Sequence, residues 1–203
     1  MVCKDTVRCQ IVEAAKKRFS HYGYAKTTMA EVASDCSMSP GNLYRFFPGK
    51  LDIAEAIATE AAQSRKEELE KIVSKSNRSA RARLRDYFFD ELRSTYNKLE
   101  SDPKVFEIAL IISRERPEYV NRTLAEERKT LRKLLEEGNE TGEFVVENPE
   151  FTAEMIQAAT MKFRYPQLWS KLTLPKLERE LEGVTALVVD GLSRRSTKET
   201  AAA

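Results

Sequence analysis

Hydrophobic residues recur along this chain at intervals of three and four positions, the spacing of one face of an α-helix. The two-residue alternation of a half-buried strand is nearly absent. Gly23 predicts the carboxyl end of the first helical stretch. That stretch places these apolar side chains on one face: Val7, Ile11, Ala14, Ala15 and Phe19. The pattern as a whole predicts an all-α protein.

Two short helices are predicted after this first one from their capping residues. Thr28 precedes an apolar run and has Glu31 three positions later, which is the spacing of a capping box. Ser39 and Pro40 open the next helix, because serine is a favoured N-cap and proline fits the first helical position. Short joints connect the three helices, and this arrangement predicts a helix-turn-helix unit.

Longer helices are predicted from residue 50 onward. The stretch Val105–Ile112 is apolar on almost every face and is therefore predicted to be buried. Arg164–Pro166 is predicted to break or kink the helix before it, because proline cannot continue a helix. The six predicted ranges are about 50–76, 84–99, 105–112, 117 to Gly138 or Gly142, 150–163 and 175–192.

The charge of the chain is distributed unevenly. Residues 1–50 hold eight Lys and Arg against four Asp and Glu, a balance of +4, although the whole chain of 203 residues has a formal net charge of +2. The remainder is therefore slightly acidic. A basic end on such a body fits an anion-binding head, with nucleic acid as the first candidate. Ordinary surface charge is the alternative.

Several classes of protein are disfavoured by composition. No apolar run approaches the roughly 20 residues of a membrane span, and the first residues lack the apolar stretch of a signal peptide. Three cysteines without a C-x-x-C pair predict a reduced, cytoplasmic protein. His21 is the only histidine, and no Gly-rich phosphate loop or metal-ligand spacing is present. We therefore expect no enzyme activity, no cofactor, no metal site and no membrane partner.

Four stretches carry a resemblance to a known family. They read I-V-E-A-A-K-K-R-F-S-H-Y-G-Y (11–24), T-T-M-A-E-V-A (27–33), S-P-G-N-L-Y-R-F-F (39–47) and P-G-K-L-D-I (48–53). In their order and spacing they resemble the DNA-binding domain of the tetracycline-repressor (TetR) family of transcriptional regulators. The chain departs from the family at Ser37, where glycine is usual, and at Leu51, where an acidic residue is common. A left-handed Ser37 would cost about 1 kcal/mol relative to glycine.

Residues near the start of the third helix are the candidates for DNA contact. A helix that enters the major groove reads base edges from its amino-terminal turns. Asn42 can bind adenine and Arg45 can bind guanine, each through two hydrogen bonds. The helix start around Thr28 offers a phosphate site, and the resemblance implies that Tyr44 and Lys50 clamp phosphates. The predicted contacts are Thr27, Thr28, Ser39, Pro40, Gly41, Asn42, Tyr44, Arg45 and Lys50.

The resemblance also implies an effector pocket and a dimer in the helical body. Candidate pocket residues are Tyr87, Phe88, Phe106, Ile111, Tyr119, Phe163 and Trp169. Apolar stripes on the last two helices are expected to form a four-helix bundle with a second copy. The candidate interface residues are Met155, Ala159, Leu181, Val184, Val188 and Leu192. The alternative is that the core of a single chain consumes both stripes.

These inferences divide the chain into three segments. Residues 1–50 are expected to form the helix-turn-helix DNA-binding domain, and residues 51–193 the helical domain for effector binding and dimerisation. Residues 194–203 are expected to form a disordered tail. The expected function is a ligand-responsive regulator, a repressor, that binds a near-palindromic DNA operator as a homodimer and is released by a small molecule. The alternative is a ligand-independent accessory or nucleoid-type DNA-binding protein.

Overall fold

A computed structural model describes residues 6–169 and 171–193, and it confirms the all-α prediction. Over these residues the chain forms nine α-helices and no strand. None of the helices in the described part is long and apolar enough to cross a membrane. The helices are α1 Thr6–Tyr22, α2 Met29–Asp35, α3 Pro40–Phe46, α4 Lys50–Val73, α5 Ala80–Ser101, α6 Val105–Glu115, α7 Pro117–Glu140, α8 Pro149–Ala159 and α9 Leu174–Ser193. The predicted tail, 194–203, lies outside the described residues.

Helix α8 ends four residues earlier than the periodicity predicts. Thr160 follows its last residue, and the Thr160 hydroxyl donates to the carbonyl oxygen of Ile156 at 2.9 Å. Two short 3-10 turns then follow, Met161–Arg164 and Pro166–Leu168. The predicted break before Pro166 is therefore present. The residues up to Phe163 that were predicted to extend the α-helix instead form a tighter 3-10 turn.

The chain divides into two compact units. The first contains the residues up to Glu67 together with Asn97–Leu124, and the second contains Glu68–Tyr96 together with the described residues from Ala125 onward. The first unit has one apolar core, to which α1, α2, α3, α4 and α6 contribute. Ile108 and Ile112 of α6 are buried in this core together with Phe19, Leu43 and Phe47.

Polar contacts also join the region around α6 to α1 and α4 within the first unit. Lys104 donates to the backbone carbonyl of His21. At the other end of α6, Arg116 lies 2.8 Å from Asp52. The prediction that residues 105–112 are buried is wrong for the outward face, because Leu110 is 51% exposed.

The second unit contains most of α5 and α7, together with α8 and α9. Its core includes Phe88, Leu135 and Leu177, all nearly inaccessible to solvent. Gly138 of α7 lies against Phe144, and a Cβ at position 138 would stand 2.0 Å from Cδ2 of that ring. The absence of a side chain at position 138 therefore lets the Phe144 ring lie directly on α7.

The cysteines differ from the expectation of a fully reduced chain. Cys9 is disulfide-bonded, so the expectation is wrong at that position. Cys36 is a free thiol on the edge of the first core, where burial raises its pKa.

Candidate nucleic-acid interface

Local capping interactions define the starts of α2 and α3. The Thr28 backbone N–H donates to Glu31 at 2.7 Å, and the Glu31 N–H donates to the Thr28 hydroxyl at 3.3 Å. The Asn42 N–H donates to the Ser39 hydroxyl at 3.2 Å. Both predicted caps are therefore confirmed. They satisfy backbone donors at the helix starts without help from the rest of the fold.

The turn between α2 and α3 contains a left-handed serine. Ser37 has φ 54°, as its replacement of glycine predicts. Its N–H donates to Ser34 at 3.0 Å, and the Met38 N–H donates to Ala33 at 3.0 Å. These two bonds form a Schellman motif, which closes the carboxyl end of α2. The turn determines how the chain leaves α2 and enters α3.

Replacing Ser37 with Gly is expected to raise the free energy of unfolding by about 1 kcal/mol, because glycine adopts positive φ without a Cβ clash. Urea denaturation would measure the change. Ser34→Gly is the matched control, since this exposed serine lies inside α2 and glycine should destabilise the helix there by roughly 0.5 kcal/mol. An S37G variant with no gain in stability would contradict the assignment of strain to Ser37.

Helix α3 buries one face and presents the other to solvent. Leu43 is fully buried, and Phe47 just after the helix is 1% exposed. The opposite face carries Tyr44, which is 50% exposed, and the exposed Arg45. Ser39, Pro40 and Gly41 are exposed and Asn42 is half-buried at the amino-terminal end. The predicted base-reading residues therefore lie at the amino-terminal end of α3 or on its solvent-exposed face.

The structure places Thr27 differently from the prediction. Thr27 is 2% exposed, and its hydroxyl donates to the carbonyl oxygen of Gly23 at 3.0 Å. Its backbone N–H donates to Tyr24 at 3.2 Å. The Thr27 side chain therefore stabilises the turn after α1, and a DNA contact at this residue stays a prediction. Its neighbour Thr28 is exposed and keeps the predicted position at a helix start.

The Lys50 side chain also stabilises the turn after α1. Its Nζ donates to the carbonyl oxygens of Tyr24 at 2.8 Å and Thr27 at 2.7 Å, and it lies 4.3 Å from the centre of the Tyr24 ring. Burial lowers the pKa of this amine. Two of its three N–H donors are therefore used within the chain, and at most one is left for a phosphate. The structure supports a positioning role for Lys50 more directly than a clamp.

Ion pairing reduces the negative charge around α2. Arg18 donates to both carboxylate oxygens of Asp35, at 2.5 and 2.6 Å, and lies 3.5 Å from Glu31. The Arg18 hydrogen bonds lower the pKa of Asp35, and bonds from Thr28 lower that of Glu31. Both groups therefore stay ionised at neutral pH, with a cation beside them. The exposed Lys26, just before the α2 cap, was not among the predicted contacts, although the charge count included it.

In the second unit, three predicted pocket residues line one internal cavity. Tyr87, Phe88 and Phe163 surround it together with Leu131 and Leu181. The cavity leaves room for about one water molecule. Polar residues that the sequence reasoning missed complete its wall: Glu91, Gln157, Thr160 and Arg164. The sequence could have indicated Glu91, because it lies three positions after Phe88 and so falls on the same face of the predicted helix.

The other predicted pocket residues lie elsewhere. Phe106, Ile111 and Tyr119 belong to the first unit, so the structure does not bring them to this cavity. Trp169 is 3% exposed, stacks on Tyr96 with ring centres 5.8 Å apart, and donates its indole N–H to a backbone carbonyl. The structure therefore does not group these four residues with the cavity, and their assignment to an effector pocket stays a prediction.

The predicted dimer residues fall into two groups. Met155 is 44% exposed, Ala159 is exposed, and Val184 and Val188 are half-buried. Leu181 is fully buried and Leu192 is 6% exposed, so both side chains lie mainly in the core of the single chain, and their place in a dimer interface stays a prediction. Exposed apolar residues that were not predicted lie on the same helices: Phe151 at 56% and Leu187 at 76%. A groove along α8 and α9 joins these residues.

The described residues contain no group of three or more His, Cys, Asp and Glu side chains placed to hold a metal ion. His21 lies on the surface at the end of α1, where its ring contacts Tyr22.

Comparison with known proteins agrees with this geometry. The probable HTH-type transcriptional regulator YttP of Bacillus subtilis (strain 168) is 23% identical over 171 residues, which cover 83% of this chain and 83% of that protein. A TetR/AcrR-family regulator from Thermobifida fusca YX-ER1 is 20% identical with a TM-score of 0.68, covering 94% of this chain and 100% of that one. SmeT, the repressor of the Stenotrophomonas maltophilia multidrug efflux pump SmeDEF, is 18% identical with a TM-score of 0.67, covering 95% and 93%.

Two family models match the chain itself. The model of bacterial regulatory proteins of the tetR family matches residues 11–57, which contain α2, α3 and the start of α4. The model of the tetracyclin repressor-like C-terminal domain matches residues 80–185. Helix α3, capped by Ser39, thus lies within a matched DNA-binding segment, and the chain belongs to the TetR family of DNA-binding transcriptional regulators.

Proposed function

We propose that this regulator is a ligand-responsive repressor that acts in the cytoplasm, binds a near-palindromic operator as a homodimer and is released by a small molecule. The observation that carries the proposal is α3: its buried face anchors it, and its exposed end presents Asn42, Tyr44 and Arg45. Two of these side chains are the types that read purines through paired hydrogen bonds, Asn to adenine and Arg to guanine.

The exposed apolar face of α8 and α9 supports a dimer. A seven-residue helix contacts only a short run of base pairs, so one head alone would bind DNA weakly and with little specificity. Two heads related by two-fold symmetry read two half-sites in successive major grooves. Phe151, Met155 and Leu187 would leave water on association, and each would contribute apolar area to the interface.

Release by an effector needs a ligand that binds the DNA-competent and DNA-incompetent conformations unequally. A coupling of about 3 kcal/mol would lower DNA affinity roughly 100-fold. The cavity of the second unit is the candidate site, since it combines aromatic walls with buried polar groups. Helix α4 starts in the first unit and ends in the second, so it is the candidate for transmission.

A gel shift with the DNA upstream of the protein's own gene, beside a scrambled duplex, tests the proposal. Arg45→Ala and Asn42→Ala should each weaken binding to the upstream fragment by about 5- to 100-fold, which corresponds to roughly 1–3 kcal/mol per base contact. Lys26→Ala should weaken both duplexes alike and reduce the salt dependence by about one counterion. Arg132→Ala, an exposed change on α7, is the control and should alter neither.

Specific retardation that survives R45A and N42A unchanged would overturn the assignment of α3 as the reading helix. Equal binding to both duplexes would instead favour the accessory or nucleoid-type DNA-binding protein. These two results can be told apart in one experiment, because the scrambled duplex reports nonspecific affinity alone.

A further inference from the structure

A cluster of three charged side chains contributes to the wall of the second unit's cavity or lies next to it. Arg164 Nε lies 3.0 Å from Glu91, and its Nη2 lies 2.5 Å from Glu127. The three side chains are 18%, 10% and 14% exposed. Burial alone would lower the pKa of Arg164, but the attraction of the two carboxylates outweighs it and raises that pKa. One guanidinium group therefore serves two buried carboxylates, and we call these three residues the Arg164 cluster.

The carboxylates of the cluster are fixed more firmly than the cation. Glu91 lies in the interior of α5 and Glu127 in the interior of α7, both helices of more than twenty residues. Arg164 is the last residue of a four-residue 3-10 turn and is followed by a second short turn. Hydrogen bonds in such turns have poorer geometry than those in an α-helix. Arg164 is therefore the member of the cluster that can withdraw at the lowest cost.

Withdrawal of Arg164 would open a site of defined chemistry. Arg164 borders the cavity that Tyr87, Phe88 and Phe163 line, and this cavity has room for about one water molecule. Without Arg164, Glu91 in the cavity wall and Glu127 beside the guanidinium would both lose the cation that now contacts them. Leaving buried carboxylates without that partner is strongly unfavourable. A replacement cation would be attracted by both carboxylates and by the ring faces.

We propose that Arg164 occupies the place of a cationic effector: the cavity binds a small aromatic or apolar molecule bearing an amidinium, guanidinium or ammonium group, which displaces the Arg164 side chain from Glu91 and Glu127. This inference rests on the proposed function, since it names the chemical class of the effector for the same cavity. A carboxylate ligand would place a third negative charge beside the two glutamates, so anionic effectors are disfavoured.

Thermal unfolding of the full chain with three matched probes tests the inference. Benzamidinium, benzamide and benzoate have the same ring and nearly the same size, and they differ in charge. Benzamidinium should raise the unfolding temperature, and benzamide and benzoate should not. Glu91→Gln and Glu127→Gln should each reduce the affinity for benzamidinium at least tenfold.

Variants of Arg164 provide the sharper test. In Arg164→Ala the probe no longer competes with a side chain, so benzamidinium should bind at least tenfold more tightly than to the unaltered chain. Should that variant fail to fold, Arg164→Lys keeps the positive charge but loses the paired donors, and it should also bind the probe more tightly. Lys162→Ala is the control, since Lys162 lies on the same turn but pairs with Glu180 at 2.6 Å. Its response should equal that of the unaltered chain.

Stabilisation by benzoate that depends on Arg164 would overturn the inference. Equal stabilisation by all three probes would also overturn it. So would benzamidinium binding to both Arg164 variants no more tightly than to the unaltered chain. Failure of the proposed function gives a different pattern, because DNA binding is measured separately. Specific operator binding with no cation response contradicts the cation inference alone. A cation response in a chain that retards no DNA contradicts the regulator and supports the cavity assignment.

Discussion

Replacing Arg83 with Met should lower the free energy of unfolding by about 2 kcal/mol, because it removes a buried guanidinium that donates to two acceptors. The Arg83 side chain is 7% exposed, and its Nη1 donates to Glu137, which is 34% exposed, at 2.6 Å and to the carbonyl oxygen of Val73 at 2.5 Å. Val73 is the last residue of α4, and a carbonyl at a helix end has no partner within the helix. The variant therefore loses both the ion pair with Glu137 and the hydrogen bond that caps the carboxyl end of α4.

Arg85→Met is the matched control, two positions along the same helix. Arg85 pairs with Glu182 at 2.6 Å, but both side chains are about half exposed, so the pair should contribute less than about 1 kcal/mol. Methionine would still cover the Phe89 ring, against which Arg85 lies at 4.3 Å. Chemical denaturation followed by circular dichroism measures both variants. Equal losses in the two would show that burial does not determine the contribution of Arg83.

Gly138→Ala should destabilise the second unit by about 3 kcal/mol, the upper part of the range for overpacked cores. The added Cβ would stand 2.0 Å from Cδ2 and 2.6 Å from Cε2 of Phe144, a ring that is 2% exposed. The Phe144 N–H also donates to the Gly138 carbonyl at 3.0 Å, so the ring cannot retreat without loosening a backbone bond. Urea denaturation gives the change in free energy.

A double-mutant cycle separates the clash from helix propensity. Phe144→Ala alone should cost about 3–5 kcal/mol. Combining it with Gly138→Ala should cost clearly less than the sum, because the new methyl group then enters vacated space. Gly183→Ala is the propensity control: position 183 lies in α9 with no atom within 4 Å of the added Cβ, so it should gain about 0.8 kcal/mol. Strict additivity in the cycle would contradict the clash.

Features set by neighbouring residues were predictable from the sequence. The caps at Thr28 and Ser39 and the left-handed Ser37 each depend on atoms within five positions along the chain. The stop at Gly23 belongs to the same class, since its φ of 89° suits glycine. Such interactions are local, and residue type at fixed spacing is enough to predict them.

Roles that depend on distant residues were not predictable in the same way. Thr27 and Lys50 were predicted to bind DNA, and in the structure both stabilise the turn after α1. The Lys50 amine donates to the Thr27 carbonyl oxygen, 23 positions away along the chain. The pocket prediction relied on aromatic residues, and periodicity does not distinguish a residue that lines a cavity from one that fills a core. The Arg164 cluster brings together three segments that no spacing rule connects.

The burial of Ile108 and Ile112 in the first core has a practical consequence for protein engineering. A chimeric regulator made by grafting residues 1–50 onto another sensor would carry the surface that meets these two side chains, but would lack the side chains themselves. The graft would also lose the Lys104 bond to His21, and it would leave out Asp52 with its partner Arg116. The transferable module is therefore discontinuous in sequence, and a working exchange must move residues 97–124 together with the head and the start of α4 up to Glu67.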